Sequence, residues 1–162
     1  MQTVRDANGD TYLLVKRSAE SSRVRNPDTG EERYVDNADL TVVDGESPLA
    51  TAASGVPAPV RRLLRAVHDD RSLGLLAVVV DEGPLPVIEL LDATGMCESD
   101  LHGTVTELRA AGLIREADVA GRRGYAATET ATEAVDSLRG LSGDTAADSE
   151  RDTNANGADT NV

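Results

Sequence analysis

Phenylalanine and tryptophan are absent from this sequence, and its only aromatic side chains are Tyr12, Tyr34 and Tyr125. Any core must therefore be built from Leu, Val, Ile and Ala, and it stays small for a chain of 162 residues. Lysine is almost missing too: Lys16 is the only one among 16 cations. Cys97 is the single cysteine, which excludes an intrachain disulfide and a four-cysteine zinc site. No apolar run approaches the roughly 18–20 residues that span a bilayer. The first residues, Met1 to Asp6, go straight into polar sequence without the apolar stretch of a signal peptide. These absences predict a soluble, cytoplasmic protein with no membrane partner.

Acid is what the sequence has in excess. Its 29 Asp and Glu against 16 Lys and Arg give a formal net charge of −13. High charge of one sign speaks to solvent and association rather than to fold. The acidic, lysine-poor, small-core composition resembles that of cytosolic proteins from extreme halophiles. An ordinary acidic protein with an acidic tail is the alternative.

Pattern divides the chain into regions. Residues 1–46 read as a small antiparallel β meander of four or five strands. Asn8-Gly9 is a strong hairpin signal, and Thr11 to Lys16 is rich in β-formers. Pro27-Asp28-Thr29-Gly30 supplies a second turn between Arg23-Val24-Arg25 and Arg33-Tyr34-Val35, and Leu40 to Val43 can add a last strand. Residues 47–56, small and weakly patterned, read as a linker. From residue 140 to 162 the sequence has almost no apolar bulk to offset ordering entropy, so a disordered acidic tail is expected.

Helical periodicity fills residues 57–139, so the fold class is α+β. Val60, Leu63, Leu64 and Val67 form one apolar stripe behind Pro57 and Pro59. Leu73 to Val80 gives a second helix, despite Val78-Val79-Val80, and Gly83-Pro84 ends it. Leu85 to Leu91 reads as a short third helix. Thr94 to Cys97 is a turn, followed by a fourth helix over 98–111 with Leu101, Val105 and Leu108 inward. Gly112 sits where a left-handed C-cap is wanted. Leu113 to Val119 and Tyr125 to Thr128 read as strands around a glycine-bounded turn, Gly121-Arg122-Arg123-Gly124. A last helix, Glu129 to Arg139, opens on Thr130 to Glu133 as a capping box.

The run from Leu101 through Ala111-Gly112-Leu113-Ile114 to Gly121-Arg122-Arg123-Gly124-Tyr125 resembles the MarR, ArsR and PadR-like winged helix-turn-helix regulators. The chain also looks like halophilic archaeal proteins that join a short β-rich N-terminus to such a domain. The resemblance covers about half the chain. It implies a DNA-binding transcriptional regulator, a homodimer on double-stranded DNA, with the second helix of the motif in the major groove. Ser99, His102, Gly103 and Thr106 are then the groove-facing positions, and Arg122 and Arg123 are the basic wing. Glu98, Asp100 and Glu107 depart from that pattern. The first two suit a helix N-terminus, yet their charge opposes phosphate unless salt screens it.

Other constellations are weaker. Cys97 reads as a small buried hydrophobe more readily than as a redox sensor. Cys97 and His102, five residues apart on a helix, do not converge as a catalytic pair. His68 beside Asp69 and Asp70 is too little for a metal signature, and no cofactor is expected. Arg61, Arg62 and Arg65 give the first helix a basic side, suited to a DNA backbone, a dimer partner or solvent. No phosphate loop or nucleophile elbow is present, so an enzyme is not expected. The second functional reading is a winged helix used as a protein–protein module in a transcription or chromosome-associated assembly.

Overall fold

A computed structural model describes the backbone of residues 1–149 and the side chains of residues 1–141. The chain divides into two compact units, Met1–Ala58 and Pro59–Val162.

The first unit is a five-stranded antiparallel sheet in the order β4-β3-β2-β1-β5. Its strands are β1 (Gln2–Arg5), β2 (Thr11–Arg17), β3 (Ser21–Arg25), β4 (Glu32–Asp36) and β5 (Thr41–Val42). Residues 8–9 and 27–30 lie between paired strands, where the sequence expects turns. Strand alternation then sorts side chains between the faces. Val4, Tyr12, Leu14, Val24 and Leu40 cluster on one side. Thr3 and Leu13, paired in register, fall on the other. There the expected linker proves to be a helix, α1 (Pro48–Ser54). Pro48 pre-sets its first turn, and Thr51 is buried with its hydroxyl 2.7 Å from that of Thr3. Small residues read as a linker because they lack a stripe; a sheet face supplies the burial that the stripe would have announced.

The second unit, beginning within the first turn of α2 (Ala58–Ala66), holds α3 (Asp70–Glu82), β6 (Leu85–Pro86), α4 (Val87–Thr94), α5 (Glu98–Ala110), β7 (Ile114–Val119), β8 (Arg122–Ala127) and α6 (Glu129–Ser149). Asp69 caps α3 by accepting from the Ser72 amide, which also holds its carboxyl below the usual aspartate range. Gly112, at φ 71°, closes α5: its amide donates to Arg109 and that of Leu113 to Leu108. Leu75, Leu76, Val79, Leu90, Leu101, Val105, Leu108 and Leu113 form the centre of one aliphatic core, with Tyr125 its single buried aromatic.

Four boundaries differ from the sequence reading. Leu85 and Pro86 are not helical but pair with Tyr125 and Gly124, making a three-stranded sheet in the order β6-β8-β7. The hairpin turn is Ala120-Gly121, at φ 52° and 77°, rather than Gly121 to Gly124. Thr128, not Thr130, stands before α6, its hydroxyl 3.4 Å from the Ala131 amide. The helix then runs to Ser149 instead of ending near Arg139, because no proline stops it. The remainder of the expected tail lies outside the described residues.

Candidate functional site

Helix α5 carries four of the six expected site residues on one outward strip. Ser99, His102 and Thr106 follow at helical spacing with Gly103 beside them, while Leu101, Val105 and Leu108 turn inward. Strand β8 supplies residues facing that strip. Between them opens a groove of about 720 Å³, whose walls include Ser99, His102, Val87, Arg123 and Tyr125. Ser99, His102 and Arg123 are thus brought together. Gly103 lines a different, smaller hollow with Ser99, Arg71 and Asp100, and Thr106 lines a third with Arg109 and Arg115. Arg122 lines none of these three.

The two hairpin arginines are strand residues, not a free tip. Arg122 pairs with Glu89 of α4 at 3.0 Å, and Arg123 with Glu116 of β7 at 2.8 Å. Glu116 also takes Arg109, at 2.9 Å. The hydrogen bond from Arg123 to Glu116, with the neighbouring Tyr125, raises the guanidinium pKa further. Both pairs are solvent-exposed, so they hold their partners weakly and yield to competing anions. The second pair follows from the register: Asp118 pairs with Arg123 and Glu116 with Tyr125, which sets Glu116 and Arg123 close on the hairpin. Sequence reasoning missed Glu89 and Glu116 because their partners lie across strands or elements.

Two further residues behave differently from expectation. Cys97 is exposed, its Sγ 3.1 Å from Ser99 Oγ, because it occupies the N-cap of α5 and the core is filled from Leu101 onward. Thr106 spends its hydroxyl proton on the His102 carbonyl, 2.7 Å away, leaving only acceptor capacity outward. Among the described residues no group of three or more His, Cys, Asp or Glu is arranged to hold a metal ion. No helix among them is long and apolar enough to cross a membrane.

A family model matches residues 1–139, both units together, and describes a family of unknown function, DUF7346. The chain belongs to this family. No curated protein and no solved structure matches it.

Proposed function

We propose that the second unit is a winged helix-turn-helix domain and that this DUF7346 protein binds double-stranded DNA as a cytoplasmic transcriptional regulator. The groove between α5 and β8 carries the reading, because it joins Ser99, His102 and Arg123 on one open surface. Support comes from the element order: helix α3, strand β6, helix α4, a tight turn, helix α5 and the β7–β8 hairpin. A helix about 20 Å long that presents Ser99, His102, Gly103 and Thr106 outward fits a major groove. Ser99 and His102 then meet base edges and Arg123 the flanking backbone, with Gly103 allowing close approach, Thr106 accepting, and Arg122 at the groove's flank. The unit acts as a homodimer in this reading, since helix-turn-helix proteins meet paired half-sites two-fold, and it performs no catalysis.

The second reading is a winged helix that docks proteins. It is favoured by the charge of the same surface, where Glu98, Asp100 and Glu107 are exposed and the hairpin arginines already have carboxylate partners. A mobility-shift assay in molar KCl separates the two, because salt at that strength reduces the Debye length to about 3 Å and silences acidic repulsion. A retarded complex is expected, and His102→Ala should alter preference among sequences more than overall affinity. Absence of any complex from low to molar salt overturns the DNA reading.

A further inference from the structure

The cations of the second unit fall into two sets. Five are neutralised within the molecule: Arg71 by Asp100, Arg109 and Arg123 by Glu116, Arg122 by Glu89 and Arg139 by Asp81. Among the described residues the other four, Arg61, Arg62, Arg65 and Arg115, have no ion pair and no hydrogen bond from their side chains. Three of these four are on α2, a helix of nine residues with no acid in it. The sequence around it is equally selective. From Ser47 to His68 not one Asp or Glu occurs, although the whole chain holds 29 of them in 162 residues. In a protein that surrounds most of its arginines with carboxylates, this helix leaves three unanswered.

Packing gives the cluster its direction. Val60, Leu63 and Ala66 bury the inner face of α2. Arg62 and Arg65 are exposed, and Arg61 is half-buried with its Nε enclosed and without a hydrogen-bond partner. The Arg62 guanidinium lies over Gly112, its Nη1 3.3 Å from where a Cβ on that glycine would stand. The arginine face therefore adjoins the C-terminal end of α5, whereas the groove of Ser99 and His102 lies along its N-terminal half.

We infer that Arg61, Arg62 and Arg65 of α2 are the phosphate-binding face of this protein for double-stranded DNA. The inference rests on the DNA reading above and deepens it: base edges are met from α5, and the electrostatic hold comes from α2 rather than from the hairpin. Guanidinium groups suit the task, because each presents a fixed fork of donors to phosphate oxygens. Arg61 and Arg65, one turn apart, are spaced for neighbouring phosphates on one strand.

The test is fluorescence anisotropy of the full chain with a mixed-sequence duplex of about 30 base pairs, across a KCl series. Circular dichroism checks folding at each salt. Each arginine that neutralises a phosphate steepens the salt dependence by about one unit. Arg61→Ala/Arg62→Ala/Arg65→Ala should flatten the slope by two to three such units and weaken binding at least about tenfold at low salt. Arg62→Glu/Arg65→Glu, both exposed, should do the same while sparing the half-buried Arg61. Arg122→Ala/Arg123→Ala should change the slope less than either. A parent that binds while both α2 variants keep its slope overturns the inference and leaves the DNA reading standing. If those variants keep the slope but light scattering shows a dimer falling apart, the face belongs to an acidic protein surface and the inference is likewise overturned. A parent that binds no duplex at any salt overturns the DNA reading, and the inference with it.

Discussion

Gly124 and Gly103 illustrate how the same residue type serves opposite purposes at single positions. A Cβ on Gly124 would stand 2.3 Å from the Leu85 carbonyl oxygen and 2.9 Å from Pro86 Cα, both backbone atoms that cannot step aside. The missing side chain is what lets β6 pair with β8. Gly124→Ala is therefore expected to destabilise by about 1–3 kcal/mol, measured by chemical denaturation. Gly103 is on the exposed face of α5, and nothing lies within 4 Å of its would-be Cβ. There the glycine only costs backbone entropy, so Gly103→Ala should stabilise by about 0.4–1 kcal/mol. A loss of stability at Gly103 or none at Gly124 would contradict these placements. Both glycines were visible in the sequence, one as part of a turn and one as a groove residue. Only the strand register reveals that Gly124 is a point of close approach.

Elements with a strong apolar stripe were legible, and elements without one were not. The helix over α5 was readable because Leu101, Val105 and Leu108 repeat at helical spacing. Helix α1, Pro-Leu-Ala-Thr-Ala-Ala-Ser, carries no such stripe; it is fixed to its sheet through the buried Thr3–Thr51 hydroxyl pair at 2.7 Å. Removing one partner strands the other without water, which is the costly half of a buried hydrogen bond. Thr51→Val should destabilise the first unit by about 1–3 kcal/mol, and Thr3→Val/Thr51→Val should recover part of that. A double-mutant cycle by denaturation reads the coupling, and strictly additive losses would show that the hydroxyls do not depend on each other. Strand β6 escaped notice for a related reason. Two residues have no period of their own, and Leu85-Pro86 becomes a strand only because β8 is there to pair with it.

At the scale of the molecule, each unit buries its own cluster. That of the first centres on Val4, Tyr12, Leu14, Val24 and Leu40, and that of the second on Leu75, Leu76, Leu90, Leu108 and Leu113 among others. The larger core predicts that a fragment spanning residues 56–162 folds without the sheet. Its circular dichroism in high salt should keep a helical spectrum and a single cooperative thermal transition. A broad, non-cooperative melt would mean that the second unit cannot sustain itself. Charge at this scale follows composition. With carboxylates nearly twice as numerous as cations, most arginines find a partner on the surface, and those that do not stand out.

Composition by itself determined that the core would be aliphatic and small, that no disulfide staples it, and that its surface would be acidic. Apolar spacing determined most of the helices, and turn chemistry determined the meander of strands, because both are local physics. Which groups meet across the fold was decided by tertiary structure alone. Ser99, His102 and Arg123 share a groove, Arg122 and Arg123 are met by Glu89 and Glu116, and the α2 arginines have no carboxylate partner among the described residues. Pairing of charges depends on distances between elements far apart in the chain. A one-dimensional reading sees the arginines of α2 and of the hairpin as equals; only the three-dimensional neighbours separate a cation with a carboxylate partner from one with none among the described residues.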